Sequence, residues 1–209
     1  MPAKKEKLRE FNKNNIIESA KILFAEKGVH NTTMDDIAAH SEYSKTTLYA
    51  YFKSKDEIFD HVMLKYMVLR KSMFEKALEA NPGFPQGYYA LCDALVDFYE
   101  SEPVYFEKML GDIKFSLDEA DEVLLKIYKV GEETNAIIEG YFGKHMELGN
   151  IHLESSPFQV TFTFWAALGG VIVLAHKKEL YLSQAKGLTR QEFMKNAFEI
   201  LLKSIGGGS

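Results

Sequence analysis

Apolar residues along this chain recur at three- and four-residue spacing almost throughout, and no run alternates strictly, so the pattern predicts an all-α protein. From about Glu10 to Lys27, the residues Ile16, Ile17, Ala20, Leu23 and Phe24 fall on one helical face, and Gly28 stands where a left-handed C-cap is wanted. Thr33 reads as the N-cap of a short helix ending near His40, and Ser44 as the cap of another reaching about Tyr51. Ser54 with Glu57 three residues on makes a capping box for a long helix to about Ala80. The stretch Asn81-Pro82-Gly83-Phe84-Pro85 is dense in chain breakers and marks a loop or a soft boundary. Helices are expected after it at about 85–101, 103–115 and 118–148, the last with Gly131, Gly140 and Gly143 inside it and a kink expected there. Ser156-Pro157 opens an apolar helix to about Lys178, and Thr189 with Glu192 caps a final one to about Ser204. The expected architecture is about nine helices: a three-helix domain at 1–55, a helical bundle at 56–205 and a flexible Gly-rich tail at 206–209.

Met34 to Phe52 carries the demands of a helix-turn-helix. Ala38 is small where two helices must touch, and Ile37, Tyr43 and Leu48 are apolar where a core is needed. Leu48 and Phe52 are expected in that core; Tyr43 reads equally as core packing or as a DNA contact. The outward positions Lys45, Thr46, Thr47, Tyr49 and Ala50 are small, hydroxylated, aromatic or cationic, which suits phosphate contact and close approach to base edges.

Charge changes the picture in the same direction. The chain carries −5, yet residues 1–55 hold ten Lys/Arg against seven Asp/Glu, a balance of +3, and the remainder carries −8. A basic end on an acidic body fits a protein of which only one end meets phosphate. The Lys4, Lys5, Lys7 and Arg9 run reads as a solvated tail or a phosphate-binding arm. The single cysteine, Cys92, excludes a disulfide within the chain and points to a reducing, cytoplasmic setting. His145, His152 and His176 share no helical face, so neither a metal nor a cofactor is expected. Phe162 to Ala175 is apolar for fourteen residues, against roughly 20 for a bilayer span, and reads as a buried helix without a membrane role. No nucleophile elbow, phosphate loop or telling carboxylate pair favours an enzyme.

The runs Thr32-Thr33-Met34-Asp35-Asp36-Ile37-Ala38 and Tyr43-Ser44-Lys45-Thr46-Thr47-Leu48-Tyr49-Ala50-Tyr51-Phe52-Lys53-Ser54-Lys55-Asp56 resemble the signature of the tetracycline-repressor (TetR) family over roughly residues 10–60. The resemblance implies a dimeric transcriptional regulator, most often a repressor, whose first domain binds a palindromic operator in double-stranded DNA and whose second binds a small inducer. It implies that Lys45, Thr46 and Thr47 meet bases and backbone, that Tyr49 and Tyr51 touch phosphate or sugar, that Lys55 reaches phosphate, and that Thr33 offers hydroxyl and amide to phosphate. Where the family's turn carries glycine this chain has Glu42, strained if its φ is positive and repulsive to phosphate.

For the second domain the resemblance points to a pocket between helices. With fifteen Phe, eleven Tyr and eight Met in the chain, it would suit an apolar or aromatic inducer. Met63, Tyr66, Cys92, Leu95, Met109, Tyr128 and Trp165 are its expected lining, while Phe106, Phe115 and Tyr128, each taken singly, read first as ordinary core. The last two helices present more apolar surface than one subunit covers, and a homodimer is expected through Phe162, Gly169, Val173, Phe193, Ala197 and Leu201.

Overall fold

A computed structural model describes residues 2–111, 118 and 120–205, and among these residues there are ten helices and no strand. They are α1 (Pro2–Lys27), α2 (Met34–His40), α3 (Lys45–Tyr51), α4 (Lys55–Ala80), α5 (Gln86–Ser101), α6 (Pro103–Met109), α7 (Glu122–Glu147), α8 (Pro157–Lys177), α9 (Glu179–Lys186) and α10 (Arg190–Ser204). The chain forms two compact units: Met1–Val68 with Phe115–Lys129, and Leu69–Lys114 with Val130–Ser209.

In the first unit the apolar face of α1 closes on the helix-turn-helix. Ile16, Ala20, Phe24, Ile37, Leu48, Phe52, Ile58 and Val62 are all essentially sealed from water. Gly28 ends α1 at φ 82°, donating to the Phe24 carbonyl at 3.1 Å, which is the left-handed cap its position called for. Phe24 meets Phe59 edge-on at 5.7 Å, and Lys65 pairs with Glu18 at 2.8 Å. The first helix begins at Pro2, ahead of the expected Glu10; Leu8 on this added stretch is 59% exposed, which is why apolar periodicity did not reveal it.

The second unit is built on α5 and α8, with α6, α9, α10 and the later turns of α4 and α7 around them. Tyr88, Phe98, Phe106, Phe142, Phe164, Ile172 and Phe198 are buried, and Tyr88 donates to the Phe198 carbonyl at 2.8 Å. The expected helix at 103–115 ends at Met109, and α7 begins at Glu122 rather than 118. The cause of the later start is local: the Asp121 carboxylate accepts from the amides of Val123 (3.1 Å) and Leu124 (3.0 Å), an N-cap that fixes where the helix opens. Phe115 and the 206–209 tail lie outside the described residues.

The expectation of about nine helices misses α9. Leu180 and Tyr181 are exposed and Leu182 alone is buried, so three consecutive apolar residues carry no helical period. Gly187 at φ 65° caps the helix, and its position after Lys186 was the signal available.

Candidate nucleic-acid interface

Two short helices present the polar surface. α2 opens on a full capping box, in which Thr33 Oγ1 accepts from the Asp36 amide (3.1 Å) and the Thr33 amide donates to Asp36 Oδ2 (2.7 Å). Lys27 reaches the same carboxylate at 2.9 Å, and this charge, with the Thr33 bonds, holds Asp36 well below the usual carboxylate range. Both polar groups of Thr33 are therefore engaged within the chain.

The turn between α2 and α3 is a Schellman motif: Glu42 donates to the Ala39 carbonyl (3.3 Å) and Tyr43 to the Ala38 carbonyl (3.0 Å). Its left-handed position is Glu42, at φ 60°, the only non-glycine residue with positive φ among those described. A side chain in that conformation costs about 1 kcal/mol relative to glycine. The strain anticipated from sequence is present.

Ser44 Oγ then accepts from the Thr47 amide at 3.1 Å and starts α3. Leu48 is fully buried and fixes the helix by one face, which leaves Lys45, Thr46, Tyr49 and Ala50 exposed and Thr47 half-buried on the other. Tyr43 donates to Asn12 Oδ1 at 2.9 Å, and Asn12 Nδ2 donates to the Tyr51 hydroxyl at 3.0 Å. One amide thus pins both tyrosines, and Asn12 was not anticipated. Tyr43 is half-buried and held by this hydrogen bond. Lys45 pairs with Asp35 at 2.7 Å. Lys55, expected to reach phosphate, donates instead to the carbonyls of Val29 (2.7 Å) and His30 (3.2 Å), closing the loop after α1.

The arrangement is a rigid pedestal with a short polar helix on its outside. Residues 16–62 match the family model described as bacterial regulatory proteins, tetR family. That likeness to the TetR family covers the helix-turn-helix region, 47 of the 209 residues. The chain is 25% identical over 115 residues to the HTH-type transcriptional regulator YhgD of Bacillus subtilis, an alignment covering 55% of this chain and 60% of that protein. It is 46% identical over 48 residues to IcaR of Staphylococcus aureus, the negative transcriptional regulator of a biofilm operon, covering 23% of this chain and 26% of IcaR. The chain therefore aligns with less than two thirds of either relative's length. Its fold is similar to that of the fatty acid degradation regulator FadR from Bacillus halodurans, with a TM-score of 0.69 at 16% identity over 94% of this chain and 97% of FadR. A Rhodococcus sp. RHA1 protein of unknown function gives a TM-score of 0.75 at 15% identity, covering 93% and 95% of the two chains. YhgD and IcaR are both named as HTH-type transcriptional regulators, YhgD as an uncharacterized one.

The second unit holds a narrow apolar cavity of about 20 Å³ whose walls include Phe74, Tyr88, Leu95, Phe142, Phe164 and Trp165. Of the expected pocket residues it gathers Leu95 and Trp165. Cys92 is buried on the same helix as Leu95, its thiol pushed up to about 12 by burial, and Met109 is half-buried near the end of α6. Met63 and Tyr66 are buried in the first unit. Tyr128 is 40% exposed and belongs neither to the core nor to the cavity wall, because its turn of α7 presents it outward.

Of the expected dimer residues, Phe162 is exposed and Val173, Phe193, Ala197 and Leu201 are half-buried. Gly169 is different: it is buried, and a Cβ there would meet Leu110 Cδ2 of the same chain at 2.8 Å. Its lack of a side chain serves packing within the protomer, while the neighbouring Gly170 is exposed, with open space above it.

Proposed function

We propose that this protein is a transcriptional repressor that binds a near-palindromic operator as a homodimer and is released by a small apolar or aromatic inducer. The observation that carries the DNA reading is the division of α3: Leu48 is fully buried while Lys45, Thr46, Tyr49 and Ala50 are exposed on the opposite face. A short helix held by one buried leucine and offering small, cationic and aromatic groups matches what the major groove admits. Lys45, Thr46, Tyr49 and Ala50 are its base and backbone contacts, with Ser44, Thr47, Tyr43, Tyr51, Thr33 and Lys55 supporting it at the rim.

Two recognition helices must enter successive major grooves roughly 34–36 Å apart, which requires a symmetric pair of subunits. The exposed face of α8 supports the pairing. Phe158, Phe162, Ala166, Gly170, Leu174 and Lys177 follow one another at helical spacing, and the first two rings meet tilted with centroids 4.5 Å apart. This helix has 21 residues and is long and apolar enough to cross a membrane by length and composition. A capping box at Ser156 and the packing of α8 on α5 and α10 favour a protein partner for its open face instead. Meeting DNA places the protein in the cytoplasm.

Induction is proposed to act through α4, which runs unbroken from Lys55, three residues after Phe52, to the cavity residue Phe74. An inducer that parts the cavity walls displaces this helix and disfavours the groove-matched separation of the two heads. A fluorescence titration with DNA from the promoter beside the protein's own gene tests the reading: saturable binding at low salt is expected, and no binding by any promoter fragment would end it.

A further inference from the structure

The second unit contains a charge that the fold does not explain. Arg70, on α4, is 7% exposed, and among the described residues no carboxylate pairs with its guanidinium. Its Nε is buried with no hydrogen-bond partner. What it has instead are aromatic faces: Cζ stands 4.9 Å from the Trp165 ring and 6.0 Å from the Phe74 ring. Burial alone pushes its pKa down to about 10, so it remains a cation at neutral pH.

The two rings that hold the guanidinium are also walls of the apolar cavity. A second unsatisfied group lines that cavity: Thr161 Oγ1 is buried without a partner. A helical threonine ordinarily bonds the carbonyl four residues back, as Thr134 does to Val130 at 2.6 Å. Thr161 forgoes that bond. The pairs Arg70/Phe74 and Thr161/Trp165 are each spaced by four residues, so each helix places one polar and one aromatic group on one face. Evolutionary economy aside, a folded protein keeps a lone buried cation only where something else neutralises it.

We infer that the effector of this cavity is an amphipathic carboxylate, its head held by Arg70 and Thr161 and its apolar body lying among Phe74, Leu95, Phe142 and Phe164. This rests on the reading of the cavity as the inducer site. A planar guanidinium matches a carboxylate by two parallel hydrogen bonds, and the Thr161 hydroxyl supplies a third donor. The space present, about 20 Å³, is enough for roughly one water. The body of the ligand therefore enters by moving the helices apart, and since Arg70 and Phe74 both lie on α4, the ligand pulls on that helix with its head and pushes on it with its body.

The single tryptophan of the chain, Trp165, reports the event directly. Full-length protein is titrated with decanoate and 4-phenylbutyrate, and in parallel with decanol and 4-phenylbutanol, reading tryptophan emission and the affinity for promoter DNA. At least one acid is expected to bind about tenfold or more tighter than its alcohol, to change Trp165 emission as the guanidinium leaves the indole face, and to weaken DNA binding. Arg70→Met is expected to erase the preference for the acid, while the alcohol still binds. Equal affinity for both acids and their alcohols in the unaltered protein overturns the assignment of the anion but leaves an apolar effector site standing, provided the alcohols also release DNA. If no compound changes either emission or DNA affinity, the effector reading of the cavity falls with it.

Discussion

Lys45 Nζ lies 2.7 Å from Asp35 Oδ1 and 3.0 Å from Oδ2, so the exposed cation that opens α3 is already held by an acid one helix away. The pair is exposed on both sides, and such pairs add little to folding. Its consequence is for binding. On the proposed DNA reading, Asp35 both aims the ammonium and competes with phosphate for it, so a duplex would have to displace the carboxylate to use the lysine.

Substituting either member separates these effects. Lys45→Ala is expected to weaken promoter binding across all sequences and to lower the slope of log affinity against log salt by about 1, as loss of one phosphate contact does. Tyr49→Ala is expected to weaken binding with a smaller change of slope. Asp35→Asn should tighten binding, because it removes a competitor and a negative charge together. All three should leave the melting temperature and the oligomeric state nearly unchanged, a result checked by thermal denaturation and sedimentation. Tighter binding by Lys45→Ala would remove α3 from the interface.

Glu42 makes a prediction of opposite sign. Its left-handed backbone costs about 1 kcal/mol that glycine avoids, and part of the gain returns as greater freedom of the unfolded chain. Glu42→Gly is expected to stabilise the protein by about 0.5 kcal/mol, raising the melting temperature by roughly 1–2 °C. It also removes a carboxylate beside the exposed helix, so promoter affinity should rise. Glu42→Ala removes the charge but keeps the strain, so its affinity should rise without any gain in stability.

The fate of the sequence reading turns on which relationships are local. Helix caps at Gly28, Thr33, Ser44, Ser156 and Thr189 are decided by residues within four positions of one another, and each stands where the pattern placed it. Asn12 is decided by Tyr43 and Tyr51, more than thirty residues away, and the only hint was an asparagine inside a helix that propensity disfavours. The cavity shows the same limit. The family resemblance pointed to Leu95 and Trp165, but neither it nor periodicity could say that Tyr128 belongs to a turn of α7 that faces outward, or that Gly169 meets Leu110. Arg70 was invisible for a related reason, since an arginine among polar helix residues reads as solvent-facing until the aromatic rings around it are known.

Acid should destabilise the fold through two histidines. His145 Nε2 faces the Pro82 carbonyl at 3.2 Å, and a carbonyl only accepts, so this nitrogen carries the proton. Nδ1 then accepts from Asn150 Nδ2 at 3.0 Å and has no place for a second proton. Burial holds its pKa below 6.5, and burial followed by the nearby Lys13 charge does the same for His61, which packs edge-on against Phe52. Below 6.5 the unfolded chain thus binds protons that the folded one refuses, and stability contributed above that value is lost as the pH falls toward the folded values. Urea midpoints measured from about pH 7.5 down to about pH 5.5 are expected to fall, and His145→Gln should flatten part of that fall. A flat profile in the unaltered protein would show that neither ring is held neutral.

Two residues on one helix separate folding from association. Phe162 is 45% exposed on the open face of α8, whereas Gly169, two turns on, is buried against Leu110 of its own chain. A glutamate at Phe162 meets water in the lone subunit, so Phe162→Glu should leave the melting of the protomer intact. In a dimer joined through this face it buries a charge at the centre of the contact, which is expected to weaken association by about 2 kcal/mol or more, roughly thirtyfold. Sedimentation should then show monomers at concentrations where the parent is paired, and promoter affinity should fall with them, because one recognition helix alone spans one half-site. Gly169→Val places its branch where 2.8 Å already separates a Cβ from Leu110 Cδ2, and should cost the fold about 1–3 kcal/mol while the surviving native protein still pairs. If Phe162→Glu sediments as the parent does, the partner lies on another face, and α8 must be covered in some other way.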